Sequence, residues 1–196
     1  MRGVPGTGFH AVVLAGGRSA RLGGTPKARL SRDGRSLVRI TVDAVDAAAA
    51  VVVVGPEDLD LPGGVLRTRE DPPFAGPAAG IAAGLAALAP LPPVPWTMTL
   101  ACDMPGVAAA VAGLRAAAAA GPAADGLVAV DAAGHRQPLA ALCRTPALRA
   151  AYAGARPSGR SVFSMLRGLV LQEVAVPEDA TADVDTWDDV RRHRLS

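Results

Sequence analysis

The stretch Leu14-Ala15-Gly16-Gly17-Arg18-Ser19-Ala20-Arg21-Leu22-Gly23-Gly24-Thr25-Pro26-Lys27 carries four glycines, two arginines and a lysine directly after a short apolar run. Glycine lets backbone N–H groups approach an anion closely and lets the chain take positive φ. Arg21 and Lys27 supply the charge that phosphate oxygens need, one as a bidentate fork and one as a point charge. Neither the GxxxxGK[ST] nor the GxGxxG spacing fits this string. Without them, a flexible loop with solvated charges is the competing account. Lys27 is distinctive in this composition. Nineteen of the twenty basic residues are arginine, and Lys27 is the one exception. A chain so biased keeps lysine where a compact ammonium serves better than a planar guanidinium.

A second apolar run ends in Leu100-Ala101-Cys102-Asp103-Met104-Pro105. A carboxylate at that position suits a hard cation such as Mg²⁺, which takes one or two protein carboxylates and completes its shell with water and phosphate. Helix capping is the alternative for Asp103, and Pro105 makes that geometry awkward. Asp71 precedes Pro72-Pro73-Phe74-Ala75-Gly76-Pro77-Ala78-Ala79-Gly80, which reads locally as a tight turn and a helix start. Arg156-Pro157-Ser158-Gly159-Arg160-Ser161 is a basic, hydroxyl-bearing cluster opening a helix: either an anion cradle or a plain capped start. Near the C-terminus, Asp185 or Thr186 caps the last helix, and Asp188 and Asp189 favour its first turn.

These residues need elements to position them. Short apolar runs predict strands over 10–14, 51–54, 65–68, 96–101, 126–130, 139–142 and 170–176. Several lack alternation, as strands covered on both faces do. Helices are expected over 36–47, 77–88, 107–119, 146–153 and 186–193. This alternation predicts an α/β sandwich with a mostly parallel sheet. In such sheets ligands collect beyond the carboxyl ends of the strands, which points to the loops after Leu14, Thr68 and Ala101.

At the first loop the chain resembles the molybdenum cofactor guanylyltransferases, whose pattern there is LAGGxSxRMGxDK. Leu22 stands for the usual Met, and Pro26 for the usual Asp before the lysine. The resemblance runs over about residues 9–192. It implies a three-layer α/β/α, Rossmann-like sandwich of the nucleotide-diphospho-sugar transferase type. It also implies an NTP-binding half over about 9–105 and an acceptor-binding half over about 106–196 of a single domain.

The implied roles can be carried over residue by residue. Leu14, Ala15, Gly16 and Gly17 would wrap the triphosphate of GTP, with Arg21 and Lys27 stabilising charge at the α-phosphate. The family's Asp-Met-Pro motif makes Asp103 a Mg²⁺ ligand and a catalytic residue. The C-terminal segment makes Asp185 a second metal ligand. Asp71, Gly76 and Gly80 would close over the guanine. Gln137, Arg160 and Ser161 would hold the acceptor, a molybdopterin-type cofactor that brings its own phosphate. The implied reaction is transfer of GMP to that phosphate with release of pyrophosphate. Cytidylyl transfer, transfer to a phospholactate-like or sugar-phosphate acceptor, and a non-catalytic nucleotide-binding role are the alternatives. The best argument for the last is Pro26.

Composition narrows the setting. Half of the residues are hydrophobic, so the chain is not disordered in bulk. No run of about 20 apolar residues lacks Pro, Arg or Asp, so no membrane association is expected. A net charge of +2 gives no argument for nucleic acid. Two cysteines without metal spacing and no apolar leader predict a cytoplasmic protein without a disulfide framework. A monomer or weak oligomer is expected, and it is the family resemblance that implies contact with molybdoenzymes or their chaperones.

Overall fold

Val12, Val13, Val52, Val53, Met98 and Leu100 are almost wholly buried, because their strands run through the middle of a sheet covered on both faces. The computed structural model of the chain describes residues 8–17 and 19–196. Its elements in chain order are β1 (Phe9–Leu14), β2 (Ser31–Arg32), β3 (Arg35–Ser36), α1 (Leu37–Ala44), β4 (Ala50–Val54), β5 (Leu66–Thr68), α2 (Pro77–Ala87) and β6 (Trp96–Ala101). There follow α3 (Val107–Ala119), β7 (Gly126–Val130), β8 (Arg136–Arg144), α4 (Thr145–Tyr152), α5 (Val162–Leu166), β9 (Leu171–Ala175) and α6 (Trp187–Arg192).

The main sheet has the order β5-β4-β1-β6-β8-β7-β9. Its neighbours pair in parallel except where β8 runs antiparallel between β6 and β7. The mostly parallel α/β sandwich read from the sequence is therefore the fold. Its layers follow from the two-residue period of β1. Val12 and Leu14 pack with Ile81 and Leu85 of α2, Leu148 of α4 and Val162 of α5. Ala11 joins a cluster with Val107, Val111 and Leu114 of α3, and Val13 one with Val38 and Val42 of α1. Close approach of α2 depends on missing side chains: a Cβ on Gly84 would lie 2.5 Å from Val12 Cγ1, and one on Gly80 3.0 Å from Leu14 Cδ2. Among the described residues no helix is long and apolar enough to cross a membrane.

The strand order places a switch point at the centre. From β1 the chain steps outward to β4 and β5, then returns to lay β6 on the other side of β1. Parallel pairing of β1 with β6 sets Leu14 beside Ala101, so the loops leaving these two strands diverge around one crevice.

Three elements differ from the sequence reading. Strand β8 begins at Arg136 rather than near 139 and contains Pro138. The register against β7 jumps between Val128, opposite Ala141, and Ala129, opposite Gln137. Proline, which has no N–H for a ladder, is tolerated at such a bulge. The β2–β3 hairpin was not foreseen, since two-residue strands carry no readable period. Helix α5, only implied by the cluster before it, is a single short turn-and-a-half capped by Ser161, which accepts from Ser164 N.

Candidate active site

The glycine loop begins with a tether. Ala15 N–H donates to the Val54 carbonyl at 2.8 Å, holding the loop's first residue against the end of β4. Leu14 lies within the β1 ladder, so the amides available to an anion are those of Gly16 and Gly17 rather than the whole run from 14 to 17. Arg18 lies outside the described residues. Beyond it the chain makes a short 3₁₀ turn at Ala20–Leu22, bends through Gly23 and Gly24, both at positive φ, and enters a second 3₁₀ turn at Lys27–Arg29. Leu22 is buried in a satellite cluster with Leu30, Leu37, Val184, Val190 and Leu195.

That cluster joins the glycine loop to the C-terminal segment. Val184 is fully buried, and its N–H donates to the Asp103 carbonyl at 2.9 Å. Asp183 and Asp185 flank it, and residues two apart in an extended segment point to the same side. Thr186 then caps α6 in a reciprocal box with Asp189, fixing where the extended segment ends.

The result is a chain of charges. Lys27 Nζ donates to Asp103 Oδ2 at 2.9 Å and also to Asp185 Oδ1. Asp185 Oδ2 in turn accepts from Arg21 Nη1 at 2.8 Å. The Lys27 and Asp103 side chains are about one-fifth exposed, whereas Arg21 is largely in solvent. Burial by itself pushes the Lys27 ammonium down, but Asp103 and Asp185 outweigh it and hold the group above its ordinary value. Lys27 is therefore a cation at any physiological pH.

Asp183 completes an acidic group that the sequence reading did not assign. Ligand oxygens of Asp103, Asp183 and Asp185 all lie within 4.8 Å of one another. Partial desolvation, with Asp103 and Asp185 adding like charge, raises the Asp183 carboxyl from its ordinary value. The alternate spacing Asp183-Val184-Asp185 around a buried valine was the signal that identifies it. Neighbouring Cys102 is no nucleophile: burial, reinforced by Asp103, pushes its thiol far up.

A cavity of about 990 Å³ opens over this group. Leu14, Ala15, Gly16, Gly17, Arg21, Lys27, Gly76, Gly80, Asp103 and Asp185, all singled out from the sequence, line it. Gly76 sits at φ +99°, a backbone state that favours glycine, and leads into Pro77 at the start of α2. Asp71 is exposed and does not line the cavity; Arg69, Glu70 and Phe74 do so in its place. Gln137 lies in an adjoining cleft with Asp131 and Asp183, which shares Ala101, Asp103 and Leu139 with the first. There Gln137 Nε2 donates to Asp131 Oδ2 at 3.2 Å. Arg160 and Ser161 line neither space. Arg160 Nε turns to Ser164 Oγ at 3.3 Å, and Ser161 serves as the cap of α5.

A family described as the MobA-like NTP transferase domain matches residues 11–173. The chain is 29% identical over 194 residues to the molybdenum cofactor guanylyltransferase of Cupriavidus necator, an alignment covering 93% of this chain and 94% of that one. Among solved structures it is similar to Rv0371c from Mycobacterium tuberculosis H37Rv, with a TM-score of 0.74, 26% identity, and coverage of 97% of this chain and 98% of that one. A complex of Rv0371C with manganese gives a TM-score of 0.69 at 24% identity, covering 95% and 97% of the two chains.

Proposed function

Because this chain belongs to the MobA-like NTP transferase family and is a nucleotidyltransferase, we propose that it transfers GMP from GTP to the phosphate of a molybdopterin-type cofactor. An oxygen of the acceptor phosphate forms a bond to the α-phosphorus of GTP. The bond from that phosphorus to the bridging oxygen of the β-phosphate breaks, and pyrophosphate leaves with the electron pair. The nucleophile already carries charge, so no covalent enzyme intermediate is required.

The observation that carries this reading is Lys27 seated between Asp103 and Asp185, beside the glycine loop at the switch point of the sheet. Lys27 offers a half-buried, permanently charged donor to the α-phosphate. Gly16 and Gly17 offer backbone amides to the outer phosphates, and Arg21 reaches in from the rim. Such groups act by positioning and by stabilising charge that develops in the transition state.

Three carboxylates with converging oxygens form an all-oxygen donor set that fits a hard divalent cation. Asp103, Asp183 and Asp185 would hold Mg²⁺, in keeping with the manganese complex of the similar mycobacterial protein. When bound, the ion neutralises phosphate oxygens as a Lewis acid. The adjoining cleft with Gln137 is the place for the acceptor, since it meets the nucleotide cavity at Asp103. Arg160 and Ser161 have no part in this reading.

Thermal stabilisation by each of the four NTPs, with and without Mg²⁺, followed by pyrophosphate release with purified cofactor, tests the reading. A nucleotide at one hundred times its Kd adds about 2.7 kcal/mol, or a shift of about 5–10 °C for a chain of this size. The expected result is a Mg²⁺-dependent shift with GTP, lost in Asp103→Ala, and pyrophosphate release on adding acceptor. A shift with CTP instead moves the chain to cytidylyl transfer. Saturation with GTP and no pyrophosphate makes it a binding protein.

A further inference from the structure

Phe74 is a bulky residue held at φ +64°, in the left-handed region that such side chains rarely adopt. Residues of this kind persist where the surroundings enforce them, and they gather at ligand clamps. The turn two residues later uses glycine for its own positive φ, at Gly76, so the segment has a cheaper solution at hand and does not use it at 74. What the phenylalanine adds is its ring. The residue is 49% exposed and lines the large cavity, where it is the only aromatic among the described lining residues.

Its placement is enforced from two sides. Glu70 Oε1 accepts the Phe74 backbone N–H at 2.9 Å. The same oxygen stands 4.0 Å from where a Cβ on Gly16 would be, so this carboxylate also walls the glycine loop. The Arg69 guanidinium lies over the ring at 5.3 Å from its centroid, a cation–π contact that orients the ring plane. The Phe74 backbone and the glycine loop are thus tied to the same Glu70 carboxylate.

We propose that Phe74 is the stacking platform for the nucleobase, with Glu70 and Arg69 as positioning residues that hold it against the glycine loop. This rests on the nucleotide-transfer reading above. A base extending from phosphates on Gly16 and Gly17 reaches the part of the cavity wall that Phe74 forms. Asp71, which the family resemblance offered for the base, sits outside the lining. Stacking alone is tolerant of base identity, because every base has a π-face. Phe74 therefore sets affinity for the nucleoside part rather than choice among bases.

The test is calorimetric titration of the full chain, in Mg²⁺, with GTP and with tripolyphosphate as a probe that lacks base and ribose. Three proteins are compared: wild type, Phe74→Gly and Phe74→Trp. Glycine deletes the ring and relieves the positive φ, so Phe74→Gly keeps or raises the melting temperature. Its GTP affinity should fall about tenfold or more while tripolyphosphate affinity is unchanged. Phe74→Trp should keep GTP affinity, and its added indole fluorescence should respond to GTP and not to tripolyphosphate. Unchanged GTP affinity in Phe74→Gly, with wild type binding GTP, overturns the platform and leaves the nucleotidyl-transfer reading standing. A wild type that binds neither probe overturns both.

Discussion

Replacing Lys27 by alanine should move two measurements in opposite directions. The ammonium touches Asp103 and Asp185, and Asp183 lies within the same 4.8 Å group. Removing it leaves three mutually close carboxylates without their central cation. Two unit charges about 4 Å apart interact by about 4 kcal/mol at an effective dielectric of 20. Asp185 is more than a third exposed, so solvent screens much of that. We expect a net tightening of Mn²⁺ binding by about tenfold, or 1.4 kcal/mol. Catalysis should go the other way. A donor aimed at the charge of the transition state contributes roughly 3–4 kcal/mol, so kcat should fall by ~10²–10³. Lys27→Arg should not recover it, because a planar fork cannot occupy the position of a compact ammonium between two carboxylates. Mn²⁺ affinity is read by water-proton relaxation or calorimetry, and kcat by pyrophosphate release. A loss of kcat under tenfold would refute the catalytic role of Lys27. Weaker Mn²⁺ binding in Lys27→Ala would refute the view that the ammonium and a divalent cation draw on the same carboxylates.

Two further outcomes concern the scaffold. Gly84→Ala drives a Cβ to within 2.5 Å of Val12 Cγ1 in the central strand. It should cost about 1–3 kcal/mol, seen as a melting temperature lower by about 2–10 °C. Gly63→Ala, with nothing within 4 Å of its added Cβ, should stay within about 0.5 kcal/mol of wild type, and equal effects at the two sites would count against the packing argument. The hairpin before β8 should show in the acid limb of stability. The backbone N–H of His135, with that of Ala133 and the Gln137 amide, holds the Asp131 carboxyl below its ordinary value. A group depressed in the folded state contributes stability above its unfolded pKa, about 3.9, and loses it as pH falls through the folded value. Asp131→Asn should therefore melt below wild type at pH 7, with the gap closing under acid conditions. A gap independent of pH between 7 and 2.5 in thermal melts would exclude the carboxylate as its source.

Much of the layer architecture was legible because unalternated valine runs and intervening helical segments have periods that survive without context. The strands at β1, β4 and β6 were read nearly residue for residue. The antiparallel β8 was misplaced at its start, since a bulge that accommodates Pro138 depends on the register of a neighbour. In the site, Lys27 was visible as the one lysine of an arginine-rich chain, Arg21 as a charge within the glycine-rich loop, and Asp103 as a carboxylate just past a buried strand. Asp183 was passed over because the family pattern singled out Asp185, and the burial of Val184 that sets the two carboxylates on one side is not marked locally. Glu70 and Phe74 carried no mark of their own: that segment was read through the family pattern at Asp71, and which of its side chains line the cavity is set by the turn that leads into α2.

By itself the sequence determined the fold class, the loops that follow the buried strands, and which charged residues those loops carry. These are local properties, set by hydrophobic period, glycine content and the chemistry of single side chains. Only the tertiary structure decided which of them meet. The return of the chain across β1 to lay down β6 brings Lys27 to Asp103, 76 residues apart. Burial of Val184 beside Leu22 brings Asp185 to Arg21 and Lys27 across more than 150 residues. Such juxtapositions arise from strand order and from a shared apolar cluster, and neither leaves a mark at any fixed spacing along the chain.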